Sequence, residues 1–598
     1  MKLKNLLPLI LGVLFPIAGF SAATIHYELS FPEPQTHYVE VKMEIDGVKS
    51  KSLEVKMPVW APGSYLIREF SRFVDSFSVS GENGEKLDYV KISKNGWRIT
   101  NSGNDHLTIR YKVYAYELSV RTSFIDDEHA YLNGASIFLF ADEFLKSPCT
   151  VMVHPYASWK KMSVALDPVE ASNPWMVKAA NYDELVDTPF EIGNHLVFSF
   201  ISSGVTHEVA MFGEGNFDVE KLKKDMARIT EECASVFGEH PSPRYLFIIH
   251  NLNNGGGGLE HKNSTTLQTS KWGYSSESSY NGFLSLVAHE YFHLWNVKRL
   301  RPVPLGPFNY DAENYTTLLW VAEGFTAYYD DLITRRCGFY SDADYLKTLA
   351  GSISYCDNVR GAAFQTLSES SLEAWIKYYR TSENSGNTTV SYYTKGGVVG
   401  ALLDMKIMKL TNGAKSLDDV MREMYQLYAK KLNRGYTEKE FVDMTSKIAG
   451  VPMDDFFRRF VNGTDSLPMK EAVKALGLEL TDLNEFQITP WTGLTTAVQN
   501  GKLVVTAVER NSPAWNSGIN VNDELIAFDQ YRLSDDLAKF TAMKKVGDKV
   551  SFTVSRGGYI KTYPLSLGAA PYVKFSLDKS TTADPVAKKL FEKWLKIN

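Results

Sequence analysis

Residues 284–295, Leu-Ser-Leu-Val-Ala-His-Glu-Tyr-Phe-His-Leu-Trp, constrain the fold more than any other stretch of this chain. The stretch is densely apolar and holds no Gly or Pro, which predicts a helix. On a helix, His289 and His293 project from the same face. Two imidazoles so placed can bind one Zn²⁺, and Glu290 beside them can accept a proton from water. The stretch therefore predicts a metal site on a helix, against the alternative of two core histidines that share this spacing by chance.

The third protein ligand is sought downstream of this motif. All 12 histidines lie at or before His293, and Arg299 stands where a metzincin would have its third His. A carboxylate remains, and Glu323 is the best candidate because it is the single acid in the apolar residues 318–329. Burying such an acid is costly unless a cation neutralises it. We therefore expect one Zn²⁺ per chain on His289, His293 and Glu323; an exposed helix position for Glu323 is the alternative.

Composition describes a globular chain of several domains. It has 598 residues, of which 44% are hydrophobic and 13% aromatic. A net charge of −6 without a basic block argues against nucleic acid as a main partner.

Residues 1–23 have the pattern of a secretory signal. Lys2 and Lys4 precede an apolar run over residues 6–18, and small residues follow, so cleavage after Ala23 is expected. An uncleaved anchor is the alternative, although the run is short for a spanning helix of about 20 residues. We expect a periplasmic or secreted protein with no membrane span once the signal is removed.

The four cysteines would then meet an oxidising compartment, and none has metal-ligand spacing. Cys337 and Cys356 flank one helical segment. Either they pair as a disulfide or they stay as free buried thiols.

The sequence predicts a multidomain α+β fold. Residues 24–205 are rich in alternating runs such as 39–45 and 107–114, which predict an antiparallel β-domain. Residues 206–470 hold the metal motif, a Gly-rich loop and amphipathic helices. Within the β-domain, residues 58–68 are too rigid and aromatic for an ordinary turn. They either line a substrate cleft or form a structural corner.

Residues 475–570 resemble a PDZ domain. The small-residue turn at 512–519 and the strand at 522–528 carry the resemblance, although Asn522 stands where that family has Gly. The resemblance implies a groove that binds an extended peptide, with residues 491–494 as the carboxylate-binding loop. The alternative is a domain that only packs on its neighbour. Residues 571–598 are expected to end the chain in a short amphipathic helix.

Four separated motifs together resemble the glycyl aminopeptidase family of gluzincin metallopeptidases. They are H-E-x-x-H-x-W at 289–295, W-x-x-E-G-F-T at 320–326, G-G-G-L-E-H at 256–261, and the run at 58–68. The resemblance implies an N-terminal β-domain, a thermolysin-like zinc catalytic domain and a C-terminal PDZ domain. It also implies a preference for Gly or Ala at the N-terminus of the substrate.

The aminopeptidase N family is a more distant relative, with a G-x-M-E-N loop and a Y-x-K-G segment. Glu260 and Tyr393 match the functional positions of those motifs, whereas His261 stands where G-x-M-E-N has Asn. The spacing from His293 to Glu323 is also longer than in that family. The assignment of Glu323 holds if the intervening Pro-rich segment loops out.

These positions imply roles at the substrate. Glu260 would pair with the α-ammonium, beside Gly257 and Gly258 that let peptide backbone approach closely. Tyr393 would donate to the oxyanion, with Tyr392 as the alternative donor. The structural alternatives are a Glu that caps a strand end and a packed core tyrosine.

The sequence therefore predicts a zinc aminopeptidase acting on peptides with a free N-terminus, with Glu290 as the general base. One alternative is a zinc endopeptidase with an open cleft. Another is a periplasmic peptide-binding factor that relies on its PDZ domain and keeps a residual zinc site. An intact Glu290 argues against the latter, because a dead site has no need of its base.

Overall fold

The computed structural model describes residues 24–597. The expected signal segment, residues 1–23, lies outside the described residues. Within 24–597, no helix is both long enough and apolar enough to cross a membrane.

The first domain is built from strands whose alternating apolar residues face a common core. Its strands β1–β14 are Ile25–Ser30, Tyr38–Asp46, Ser52–Lys56, Val74–Ser80, Tyr89–Lys91, Gly96–Thr100, His106–Tyr114, Phe124–Ile125, Ala130–Leu132, Cys149–His154, Lys161–Val164, Asp167–Glu170, Asn173–Ala179 and Phe190–Gly193, and its helix α1 is Tyr182–Val186. The largest sheet has the order β12-β13-β10-β1-β2-β7-β4. Its pairings are antiparallel as predicted, with one exception, since β1 runs parallel to β10.

The second domain contains a mixed sheet and most of the helices. Its strands β15–β19 are Leu196–Ser202, Val205–Phe212, Arg244–Leu252, Gly258–Glu260 and Ser264–Ser270. Its helices α2–α12 are Val219–Phe237, Glu277–Phe292, Phe325–Arg336, Asp342–Asn358, Leu367–Leu372, Ser385–Thr388, Thr394–Leu410, Leu417–Met424, Glu438–Ala449, Asp454–Phe460 and Met469–Lys474, with π-helical turns at Trp320–Gly324 and Tyr425–Lys431.

The five-stranded sheet of this domain has the order β15-β16-β17-β19-β18, so the short strand β18 forms an edge. Strand β15 begins at Leu196, before the predicted domain boundary at 205, because it is hydrogen-bonded to β16 rather than to the first domain. Helix α3 packs against this edge and against α4. The sheet edge and two helices thereby meet at one cleft.

Two helical predictions need correction. Helix α3 begins at Glu277, earlier than predicted, because Ser276 caps it and accepts a hydrogen bond from the backbone N–H of Ser279. The helix predicted around Glu323 is instead a π-turn, Trp320–Gly324, that continues into α4. Gly324 lies against the backbone of Gly396 there, since a Cβ on Gly324 would be 2.6 Å from its Cα.

Within the third unit, residues 503–567 have their own apolar core, and the strands and helix at its two ends pack on the core of the second domain. Its strands β20–β29 are Leu478–Asp482, Pro490–Trp491, Leu494–Gln499, Lys502–Val508, Glu524–Phe528, Tyr531–Arg532, Lys549–Arg556, Tyr559–Ser566, Gly568–Ala569 and Phe575–Lys579, and its helices α13–α15 are Pro513–Ser517, Leu537–Ala542 and Pro585–Trp594. The helix α15 of the tail packs on the second domain, where Trp594 donates to the Tyr328 hydroxyl at 2.7 Å.

The cysteines are buried free thiols throughout residues 24–597. The Cys337–Cys356 disulfide left open by the sequence is therefore not formed in this structure.

Candidate active site

His289, His293 and Glu323 converge as the sequence predicts. The Nε2 atoms of the two histidines lie 3.6 and 3.3 Å from the same Glu323 oxygen. The three donor atoms lie within 4.8 Å of one another. Two imidazole nitrogens and one carboxylate oxygen are a donor set suited to zinc with an open position. Trp60, within residues 58–68, donates to the backbone of Asn309 in the long segment between His293 and Glu323.

The other ring nitrogen of each histidine is held by an acceptor. His289 Nδ1 lies 2.8 Å from Asp330 Oδ2, and His293 Nδ1 lies 2.9 Å from the carbonyl oxygen of Asn296. A carbonyl and a carboxylate accept, so both Nδ1 atoms carry a hydrogen and both Nε2 atoms face Glu323, where a bound cation would take the place of an Nε2 hydrogen. This orientation prepares the two rings to bind a cation.

The charges of the site favour an ionised Glu323. Burial opposes ionisation, yet the His293 and His289 imidazoles lower the pKa of Glu323 to about 2. Burial also lowers the pKa of His289, but hydrogen bonds to Asp330 and Glu323 outweigh it and raise that pKa well above its ordinary value. The carboxylates thus draw positive charge to the point where the donor atoms meet.

Asn296, which the sequence analysis did not assign to the site, connects the end of α3, which carries His293, with the π-turn that carries Glu323. Its side-chain amide donates to the carbonyls of Val321 and Ala322, at 2.9 and 3.1 Å, in the π-turn that carries Glu323. Its backbone carbonyl orients His293 at the same time. Val297, directly after it, has a φ of +94°, a strained value for a β-branched residue.

Glu290 lies inside the same cleft and is buried. Burial raises its pKa to about 7, although the His289 and His293 imidazoles oppose the shift. Its Oε2 has no hydrogen-bond partner among the described residues. Gly258 packs directly on it, because a Cβ there would lie 2.4 Å from the Glu290 side chain. Position 258 must therefore be Gly because any larger side chain would clash with Glu290, whereas the sequence analysis expected Gly258 only to make room for substrate backbone.

Glu260 ends the edge strand β18 and faces the same point. An oxygen of its carboxylate lies within 4.8 Å of donor atoms of Glu290 and His293. Its Oε1 is buried without a hydrogen-bond partner among the described residues. Gly63, with a φ of +89°, lies against it, since a Cβ there would be 2.7 Å from both carboxylate oxygens. Within residues 58–68, Gly63 therefore lines the cleft, whereas Trp60 and Tyr65 pack in the core, and Gly257 lines the cleft with open space beside it.

The tyrosines of the cleft divide into two groups. Tyr393 faces the cavity, and its ring centroid is 6.5 Å from that of His289. Tyr379, missed by sequence reasoning, also lines the cavity, and burial raises its pKa to about 12. Tyr392 is fully buried outside the cavity lining, with a hydroxyl that has no partner among the described residues. Tyr393 and Tyr379 are thus positioned to donate a hydrogen bond to a ligand.

These side chains surround one cavity of about 460 Å³. The first domain contributes Gly63 and Arg121 to its wall, and α3 contributes Ser285 and Leu286. Asp330 could have been found from sequence, because it follows Glu323 by seven residues, which is two helical turns. Arg121 carried no such signal.

A family model described as M61 glycyl aminopeptidase matches residues 282–399, which include the two histidines and Glu323. The chain is a metallopeptidase of the aminopeptidase type. A model described as Peptidase M61 N-terminal domain matches residues 26–194, and a PDZ model matches 475–567. Three separate parts of the chain are thus similar to the N-terminal and catalytic domains of the glycyl aminopeptidase family and to a PDZ domain, in that order, which confirms the resemblance seen in the sequence.

Among solved structures, the chain is similar to an aminopeptidase N family protein from Idiomarina loihiensis. The two are 29% identical with a TM-score of 0.87, over 96% of this chain and 100% of the other. An M1 zinc metallopeptidase from Deinococcus radiodurans is 14% identical with a TM-score of 0.49, over 75% of this chain and 96% of the other. A comparison with curated proteins gives no match.

Proposed function

We propose that this protein is a zinc aminopeptidase that removes N-terminal residues, small ones such as Gly or Ala by family likeness, from peptides in the periplasm or outside the cell. The observation that carries the exopeptidase assignment is Glu260. Its buried, unpaired carboxylate oxygen lies beside Glu290 and His293, where only a cation or a donor would stabilise it. The α-ammonium of a peptide provides both.

His289, His293 and Glu323 would hold one Zn²⁺ per chain. Two neutral imidazoles, each oriented through Nδ1, and one ionised carboxylate are the ligands of this class of site. When bound, zinc supplies Lewis-acid activation of water and of the scissile carbonyl.

Each remaining step is assigned to a side chain of the cleft. Glu290, whose pKa burial raises to about 7, accepts the proton of the attacking water and passes it to the leaving amine. Tyr393 donates to the oxygen of the carbonyl as negative charge develops there, because burial, the Glu323 charge and the nearby Tyr379 raise its pKa well above its ordinary value and keep it protonated. Glu260 fixes the substrate so that the cut falls one residue from its N-terminus.

The cellular location rests on the sequence of residues 1–23. Lys2 and Lys4, the apolar run and cleavage after Ala23 support export. The PDZ domain would bind an extended peptide or a protein C-terminus in its groove.

The test of the proposal is the rate on free and N-acetylated peptides, in the wild type and in Glu260→Ala. The wild type should reject the acetylated peptide, since that substrate lacks the ammonium. Glu260→Ala should lose about 2–5 kcal/mol in kcat/KM on free peptides, because the ammonium is then desolvated and unpaired. Zinc content should be unchanged. If the wild type cuts acetylated peptides equally well, the protein is a zinc endopeptidase and Glu260 is structural.

A further inference from the structure

Arg121 lies on a loop of the first domain that is rigidly held at the wall of the cleft. The hydroxyl of Tyr131 and the amide of Asn133 donate to the carbonyl of Val120, at 3.2 and 3.4 Å. Gln268 of strand β19 donates to the carbonyl of Leu118 at 3.3 Å. The residues on either side of Arg121 are buried. The loop therefore presents Arg121 at a fixed place.

The side chain of Arg121 has no internal partner. It lines the same cavity as Glu260 and Tyr379. Its Nε is buried and makes no hydrogen bond within the described part of the chain, and its guanidinium forms no ion pair with residues 24–597. A guanidinium carries five donors and cannot lose its charge. Arg121 is half-buried, so the donors that face the cavity are open to an anionic ligand.

A second guanidinium, that of Arg68, lies close enough to Arg121 for the two charges to interact. Arg68 donates from Nη2 and Nε to the Ser64 hydroxyl, at 2.8 and 3.3 Å, and makes no ion pair in the described residues. Burial and then the charge of Arg121 lower its pKa. Two arginines thus add their positive potential at one place, where neither forms an ion pair with the described residues and the charge of Glu117 opposes theirs only through space.

The position of this pair identifies the part of the substrate that reaches it. Ser64 follows Gly63, and Gly63 lies directly against the Glu260 carboxylate. The guanidiniums are therefore on the Glu260 side of the cleft, where the first residue of the peptide binds. The side chain of that residue leaves the same Cα as the ammonium, whereas the peptide C-terminus lies beyond the scissile bond.

We propose that Arg121, supported by Arg68, is an anion subsite that binds a substrate carboxylate, foremost the side chain of an N-terminal Asp or Glu. The inference rests on the proposed aminopeptidase function and adds acidic residues to its substrates. Binding is by charge-assisted hydrogen bonds, which a guanidinium makes to a carboxylate in bidentate geometry.

The test compares glutamyl and glutaminyl p-nitroanilides, which differ in one charge and are similar in size. The wild type should favour the glutamyl substrate, and Arg121→Met should lower the glutamyl to glutaminyl ratio of kcat/KM by at least tenfold. Arg121→Lys should keep part of the preference, because the charge remains. Arg98→Met is the matched control: Arg98 is an exposed arginine of the same domain, paired with Glu54, and its loss should leave the ratio unchanged.

Further measurements separate the remaining explanations. Alanyl-alanine and its C-terminal amide test whether Arg121 binds the C-terminal carboxylate of the peptide instead. If Arg121→Met lowers only the ratio of kcat/KM between these two substrates, the peptide C-terminus is the bound group. Thermal shifts of the wild type and Arg121→Met with glutamate and with glutamine give a readout that needs no turnover. An unchanged glutamyl to glutaminyl ratio in an Arg121→Met enzyme that hydrolyses alanyl p-nitroanilide would overturn the subsite. If the wild type hydrolyses N-acetylated peptides as well as free peptides, the aminopeptidase function itself is overturned instead.

Discussion

At the scale of single residues, Glu290 separates metal binding from proton transfer. Glu290→Gln keeps the size of the side chain but cannot accept a proton, so kcat should fall by about 10²–10⁴-fold. Metal analysis should still find zinc, because Glu290 is not among the proposed ligands. His289→Ala is the companion variant, which should lose both zinc and activity. Turnover near the wild-type rate in Glu290→Gln would exclude Glu290 as the base.

Tyr393 gives a second prediction at this scale. Tyr393→Phe removes one hydroxyl from the cavity wall and should lower kcat by about 10²–10³-fold with little change in KM, as for other oxyanion donors. Tyr392→Phe is the matched control, since the Tyr392 hydroxyl lies outside the cavity lining. Steady-state kinetics of both variants and of Tyr379→Phe decide the assignment. A larger loss in Tyr379→Phe than in Tyr393→Phe would move the role to Tyr379.

At the scale of elements, the sequence predicted those parts that local patterns determine. The alternation of residues 39–45 appears in β2, and the helix of His289 and His293 is present as α3. The early start of α3 was missed because Gly282 and the polar residues before it do not favour a helix, yet Gly282 has open space around it and is tolerated. The π-turn at Glu323 was missed because it depends on contact with α8, which is remote in sequence.

The residues of the candidate site also fall into those that local sequence patterns predict and those that depend on tertiary contacts. His289, Glu290 and His293 share one helical stretch and Glu323 was found by elimination, so chemistry and spacing were sufficient. Arg121 comes from the first domain, and only its tertiary position brings it to the cleft.

Asp187, which follows α1, joins the first domain to the catalytic elements and supports a stability prediction. Its Oδ1 pairs with Lys298 at 2.8 Å and with His261 at 3.2 Å, and both partners are buried. Asp187→Asn should lower the free energy of unfolding by about 3–5 kcal/mol at pH 7, because the Lys298 charge is left buried and unpaired. Urea denaturation of both proteins measures the difference.

The pH dependence of this difference has a definite sign. Burial raises the pKa of Asp187, but Lys298 and His261 outweigh it and lower the pKa to about 2, below the ordinary value of 3.8. A lowered folded-state pKa stabilises the fold above the unfolded-state value and loses that contribution as the pH falls through about 2. The wild type and Asp187→Asn should therefore differ most near neutral pH and converge on acidification. A difference that does not change with pH would contradict the role of this carboxylate.

At the scale of the whole molecule, Asn387 connects the PDZ domain with the segment that leads to Tyr393. Its amide donates to the carbonyl of Val508 at 2.9 Å and accepts from the N–H of Arg510 at 2.7 Å. Asn387 is buried, and the chain runs from it through Val390 to Tyr393, six residues on, where α8 follows directly. The same short segment thus holds the PDZ domain and the candidate oxyanion donor.

Asn387→Ala should loosen both ends of this segment. It leaves the buried carbonyl of Val508 without this partner, at a cost of about 1–3 kcal/mol, and removes the acceptor of the part-buried Arg510 N–H. Hydrogen exchange should rise across residues 384–393, and kcat should fall while zinc content and KM stay close to wild type, because the position of Tyr393 matters most in the transition state. Glu383→Gln, an exposed change on the same loop, is the control. If Asn387→Ala raises exchange only within the PDZ domain and leaves kcat equal to that of Glu383→Gln, the PDZ domain packs on the enzyme without supporting its active site.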